Sequence, residues 1–152
     1  MAAKHTRDDL FDIAERFVGM KELAGDEDNP QILAFLKLDA EWPDRDEVPW
    51  CSGYCNYIAW LCRAPRSKSL RARSWLEVGR RIELEDAEPG DVVIFNRGGP
   101  PDPTIIKAKG HVGFYAGHTD ELVEVLGGNQ SNTVKVSRYK RDELLGVRRI
   151  AS

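Results

Sequence analysis

The chain has 152 residues, 41% of them hydrophobic and 31% charged, a formal charge of −3 and three cysteines. One soluble domain with a single core fits these figures. The longest apolar runs fall well short of the roughly 18 residues of a membrane span, the odd cysteine count argues against a disulfide framework, and the slightly acidic balance is the wrong sign for a nucleic-acid-binding domain.

At the N-terminus, Asp8, Asp9, Asp12 and Glu15 interrupt what would otherwise be the apolar stretch of a secretory signal, so the expected location in the producing cell is the cytoplasm. Thr6-x-x-Asp9 stands before Leu10, Ile13, Ala14, Phe17 and Val18. Spacings of three and four with a capping residue predict an amphipathic helix ending near residues 19–25. Turn chemistry follows at Gly25 to Pro30, then a short second helix carrying Ile32, Leu33, Phe35, Leu36 and Leu38, then a Pro- and Asp-rich loop from Trp42 to Pro49.

That loop delivers the chain to Cys51, where Cys51, Cys55, Ile58, Ala59 and Cys62 mark one face of a third helix. Beyond Pro65 the pattern loosens around Ser74-Trp75-Leu76 and then changes to period two. Pro89-Gly90-Asp91 turns into VVIF, and HVGFYAG, ELVEVLGG, Val134 to Val136 and Leu144 to Ile150 complete about five strands. Helices first and strands second predict an α+β domain spanning 1–152. Its helical part covers about 6–80 and packs on a roughly five-stranded antiparallel sheet over about 81–150.

Charge is uneven along this order. Residues 1–50 carry 13 acids and 6 bases, whereas residues 63–81 carry seven bases and one acid, Glu77. The basic stretch reads either as solvated surface or as contact with an anionic polymer or a carboxylate-rich substrate.

Cys51 is the sharpest candidate for chemistry. A thiol at a helix start lies beside unpaired N–H groups and the positive end of the helix dipole, which favour thiolate and can hold an oxyanion. Cys55 and Cys62, inside the helix on its apolar face, read as core. Of the three histidines, His5 lies near the terminus and His118 in a hairpin turn, which leaves His111, at the start of a strand, as the general base. An imidazole in this role needs a third group to fix its tautomer, and the next strand offers Glu124 or Asn129, with strand parity unable to choose between them. A zinc site from Cys51, Cys55, His111 and His118 has poor spacing. The acidic loops around Asp26, Asp28, Asp39, Asp44 and Asp46 lack the pattern of a calcium loop, so no metal is expected.

Together, PWCSGYCNYIAW, PGDVVIF, GHVGFYAG and VLGGNQSN resemble the papain-like cell-wall hydrolases of the CHAP and NlpC type, most closely small single-domain phage endolysins. The resemblance covers nearly the whole chain. It implies a papain-like fold, Cys51 as nucleophile, His111 as base and Asn129 as the orienting residue, with Glu124 in reserve. CHAP members often carry a Glu two residues before that Asn, a place held here by Gly127. It further implies that Asp91 is a structural turn residue, and Trp50, Ser52, Trp75 and Gln130 are the residues expected to line the substrate groove.

The expected function is therefore cofactor-free hydrolysis of an amide in the murein peptide stem, through an acyl-enzyme, by a monomeric N-acetylmuramoyl-L-alanine amidase or endopeptidase. Its expected partner is bacterial peptidoglycan, reached as an endolysin after release from the cell. The alternatives are a thiol amidase or peptidase acting as an antibacterial toxin or on another amide, and a catalytically silent wall-binding module.

Overall fold

The computed structural model describes residues 7–23, 29–38 and 50–151. Thr6 and its expected cap, His5, the acidic positions Asp26, Asp28, Asp39, Asp44 and Asp46, and the loop before Trp50 lie outside the described residues. Three α-helices come first among those described: α1 (Arg7–Glu15), α2 (Pro30–Lys37) and α3 (Cys51–Leu61). A 3₁₀ helix (Ala72–Glu77) leads into six strands, β1 (Arg80–Ile82), β2 (Val92–Asn96), β3 (Gly110–His118), β4 (Leu122–Gln130), β5 (Thr133–Lys140) and β6 (Leu144–Arg149). They form one antiparallel sheet in the order β1-β6-β2-β3-β4-β5.

The expected α+β order holds, with one strand added. At three residues, β1 is too short to show an alternating pattern, and its pairing with β6 rather than any local signal makes it a strand. The first helix stops at Glu15, earlier than its apolar spacing predicts. From there the chain turns to lie along the edge of β5, where Gly19 N–H donates to Val134 O, Val134 N–H to Met20 O and Glu22 N–H to Asn132 O. Asn29 caps α2 through the N–H of Gln31, with Pro30 at the first helical position.

Two apolar clusters occupy the two faces of the sheet. Val92, Ile94, Val112, Phe114, Leu126 and Val134 pack against the helices, together with Phe35, Trp50, Tyr54 and Ile58. Val93, Phe95, Tyr115, Val123, Val125 and Val147 form the second cluster, joined by Tyr139. In a flat sheet β2 and β5, three strand spacings apart, would be separated by about 14 Å. The rings of Phe95 and Tyr139 nevertheless stack with centroids 5.1 Å apart. The sheet is therefore curled, and its inner face closes on itself, with Leu84 and Ala87 packed against the same cluster.

The turn before β2 is held by Asp91, which is buried, accepts the N–H of Glu88 and pairs with Arg149 through both carboxylate oxygens. This is the structural role that the sequence resemblance implies for it. Among the described residues, no helix is long and apolar enough to cross a membrane.

Candidate active site

Cys51 is the first residue of α3, and its N-cap, Trp50, provides no side-chain cap. First-turn donors that a Ser or Asp cap would otherwise occupy are left available. The thiol interacts with the backbone of Cys51 and Ser52 and, across the interface, of Val112, the residue after His111. These contacts and the charge of Arg97 favour thiolate, yet burial outweighs them and raises the Cys51 pKa above its ordinary value. The expected thiolate at the helix start is therefore corrected. Burial favours the thiol form of Cys51, because desolvation costs the anion more than one helix end returns.

The other two cysteines have no such surroundings. Cys55 is fully buried and burial pushes its thiol well above the ordinary range, while Cys62 is raised to about 11. All three are free. A site of three or more His, Cys, Asp or Glu side chains able to hold a metal is absent among the described residues.

His111 is buried near the start of β3, directly opposite Phe95 of β2, and therefore on the inner face of the curl. Its Nε2 lies 2.9 Å from Oε1 of Gln130. The amide of Gln130 is fixed by its other end, whose Nε2 donates to Val125 O and Lys135 O. An amide oxygen only accepts, so the histidine Nε2 must carry the hydrogen. The lone pair is then on Nδ1, which is buried without a hydrogen-bond partner among the described residues. Burial holds the imidazole neutral, with its pKa lowered to about 4. Tyr139 stacks on the ring, centroids 4.8 Å apart and planes inclined by 23°.

Gln130, expected in the substrate groove, thus occupies the place in which Asn129 was expected. A β-bulge explains the exchange. From Gly127↔Lys135 to Gln130↔Thr133, β4 advances three residues while β5 advances two. One extra residue reverses the alternation beyond it, so Gln130 joins Val125 and Gly127 on the inner face, where regular alternation would have put Asn129. The strain of the bulge shows in Asn129 itself, at φ +56°. Asn129 instead lines the pocket beside Cys51. Gly127 is where CHAP members carry their Glu, and a Cβ there would lie 2.8 Å from Gln130 Oε1 and 3.4 Å from His111 Nε2. Glycine leaves room for the pair. Glu124 is opposite Gly117, toward the other end of β3, and is no partner for His111. His118, at that same end, bonds to the hydroxyl of Tyr115.

The pocket in front of the thiol has a volume of about 480 Å³ and is lined by Cys51, Asn129, Gly110 and four cations: Arg71, Arg97, Lys107 and Lys109. Among the described residues no acidic side chain lines it. Its outer lip, the excursion between β2 and β3, is anchored by Arg73. This fully buried guanidinium donates to Lys109 O, Asp102 O, Ile105 O, Pro100 O and Asn96 Oδ1 at 2.8–3.3 Å. The five donors of one planar group are thereby matched without a carboxylate. Of the basic stretch at 63–81, Arg73 is thus interior and Arg71 faces the pocket.

Three other expected groove residues are elsewhere. Trp50 and Trp75 are fully buried, their indole N–H groups donating to Glu22 Oε1 and Ser52 Oγ, and Ser52 is buried with its hydroxyl on Ser69 O. Trp50 stacks on Phe35, and a Cβ at Gly128 would strike its ring at 2.6 Å. Trp50 wedges the helix start against β4, and all three side chains are packed in the interior. Arg71, Arg97, Lys107 and Lys109 were missed as pocket residues, since long-range packing gathers them from two loops. The only local signal was the basic excess around Arg71.

No family model and no curated protein matches the sequence. Solved structures of similar fold include a NlpC/P60 family protein from Bacillus cereus, with a TM-score of 0.60 and 16% identity over 99% of this chain and 42% of that one. NlpC2 from Trichomonas vaginalis gives a TM-score of 0.58 at 16% identity, over 100% of this chain and 49% of that one. The chain spans less than half the length of either. The shared fold is the papain-like one of the NlpC/P60 proteins.

Proposed function

We propose that the chain is a cysteine hydrolase that cleaves an amide bond in the peptide stem of bacterial peptidoglycan, with Cys51 as nucleophile, His111 as general base and acid, and Gln130 as the residue that orients His111. The observation that carries this reading is the buried, unpartnered Nδ1 of His111, fixed as the acceptor by Gln130 and set beside the residue whose backbone meets the Cys51 thiol. A neutral thiol and a neutral imidazole form a general-base pair. His111 takes the thiol proton as the sulfur attacks the carbonyl, N–H groups at the start of α3 stabilise the oxyanion, and the imidazolium then protonates the leaving amine. Water releases the acyl group by the reverse proton path.

The substrate class is supported by the fold and by the motifs shared with papain-like cell-wall hydrolases. The four cations around the thiol suit a stem peptide with free carboxylates. Those carboxylates belong to the stem whether the amide cut joins stem to glycan or lies within the stem, so the reading covers both amidase and endopeptidase cleavage. In the finer reading the chain works as an endolysin, as a monomer and without a cofactor.

Digestion of purified sacculi followed by mass spectrometry of the fragments tests this directly. New stem termini that appear with the parent chain and vanish with Cys51→Ala are expected. Intact sacculi alongside rapid turnover of a non-murein amide would move the chain to the toxin or cellular amidase class, and fragments produced equally by Cys51→Ala would remove Cys51 from the mechanism.

A further inference from the structure

The imidazolium that forms on His111 arises in an unusual setting. Its ring is buried, its Nε2 faces the neutral amide of Gln130, and its Nδ1 has no partner, so no carboxylate hydrogen-bonds to it among the described residues. The charged and titratable groups that act on it from the packed elements are Arg97, beyond β2, whose charge opposes protonation, and the stacked Tyr139 of β5; Cys51 of α3, whose thiol meets the backbone of the next residue, Val112, supplies the proton in the proposed step. Tyr139 is stacked on the ring at 4.8 Å and 23°, is itself stacked on Phe95 at 5.1 Å and 28°, and lies within electrostatic reach of Cys51. Its phenol stays protonated, with burial pushing the hydroxyl to about 12. The ring therefore presents a neutral π face, electronegative at its centre, to the imidazole.

We infer that Tyr139 is a positioning residue that fixes the plane of His111 and whose π face stabilises the imidazolium formed when Cys51 gives up its proton. The inference rests on the reading of His111 as the base for Cys51. In the step concerned the S–H bond of Cys51 breaks and an N–H bond forms at Nδ1. The products are a thiolate and an imidazolium, and no other reactant takes part. The hydroxyl of Tyr139 has no part in this, so phenylalanine should serve as well.

The sign of one substitution separates this role from that of a plain cover. Removing a cover admits water and moves the pKa of His111 up toward that of a free histidine, whereas removing a π face and keeping apolar bulk moves it down. The full chain is used, and two quantities are read across pH: the rate of Cys51 alkylation by iodoacetamide, mapped against Cys55 and Cys62, and the pKa of His111 by NMR. Tyr139→Phe should match the parent. Tyr139→Leu should lower the His111 pKa by roughly half a unit and slow Cys51 alkylation near neutral pH about 3-fold. Phenylalanine with progressively fluorinated rings, placed at position 139, keeps the shape while draining the π face, and should lower the pKa stepwise even where the leucine variant does not fold. A raised or unchanged pKa in these variants, or a Tyr139→Phe variant as impaired as the leucine one, overturns the inference. If Cys51 in the parent is no more reactive than Cys55, or its rate is indifferent to His111→Ala, the underlying reading of the site fails as well. A parent with His111-dependent alkylation but insensitive position 139 variants leaves that reading standing and removes only the role of Tyr139.

Discussion

The two faces of the sheet are built by different means. The outer face is covered by α1 to α3 and holds Cys51 within a conventional helix-on-sheet core. The inner face is closed by the curl of the sheet itself, and its polar residues, His111 and Gln130, are held by strand register, one bulge and one stacked tyrosine. The proposed chemistry needs one group from each. The nucleophile comes from the end of a helix and the base from inside the curl, and at the start of β3 the thiol reaches the backbone of Val112, the residue next to His111. Local sequence is sufficient to place a helix start, but the inner face depends on how strands are counted against one another.

The largest effect should come from breaking the outer-face half. Cys51→Ala is expected to lower kcat at least about 10³-fold with an unchanged circular dichroism spectrum. Cys55→Ala, one turn away, should leave kcat nearly intact and cost about 1 kcal/mol in urea unfolding. Equal losses of activity at the two positions would erase the distinction between helix start and helix interior.

On the inner face, burial of a neutral histidine makes stability depend on pH. The folded chain keeps His111 unprotonated down to about pH 4, whereas an unfolded histidine takes its proton near 6.5. Between these values the unfolded state binds more protons, so the contribution is fully present above pH 6.5 and is lost as pH falls toward 4. It amounts to about 3 kcal/mol. Denaturant titrations at several pH values should show this acid loss in the parent and a flatter profile in His111→Phe. Parallel profiles would mean that the imidazole is not held neutral.

Most of the architecture is legible in the sequence. The spacing of Leu10, Ile13, Ala14 and Phe17, the run after Cys51, and the alternation in VVIF and HVGFYAG each carry their own period. Cys55 and Cys62 as core follow the same local logic, and the structural role of Asp91 follows from the family resemblance. What escaped depends on non-local geometry. A single bulge moved the partner of His111 from Asn129 to Gln130, burial overruled the helix dipole at Cys51, and tertiary packing sent Trp50, Ser52 and Trp75 inward while bringing Arg97 and Lys107 to the thiol.

The bulge can be tested at both of its residues. Gln130→Ala should reduce kcat about 10- to 100-fold by freeing the imidazole to rotate. Asn129→Gly, which keeps the left-handed backbone of the bulge and removes the side chain from the pocket wall, should act mainly on KM. A larger kcat loss at Asn129 would restore it as the orienting group. A smaller effect, about 10-fold in kcat, is expected for Gly127→Ala, since the added methyl crowds the Gln130 to His111 bond. Unaltered turnover there would show that the pair has more room than a 2.8 Å approach allows.

Nitrogen-15 NMR of His111 near neutral pH reports which ring nitrogen carries the proton, without any substrate. A neutral ring protonated at Nε2, with a free lone pair at Nδ1 and a loss of tautomer preference in Gln130→Ala, is the expected result. A proton on Nδ1 would leave no free lone pair to take the thiol proton and would contradict the proposed pairing of the two sheet faces.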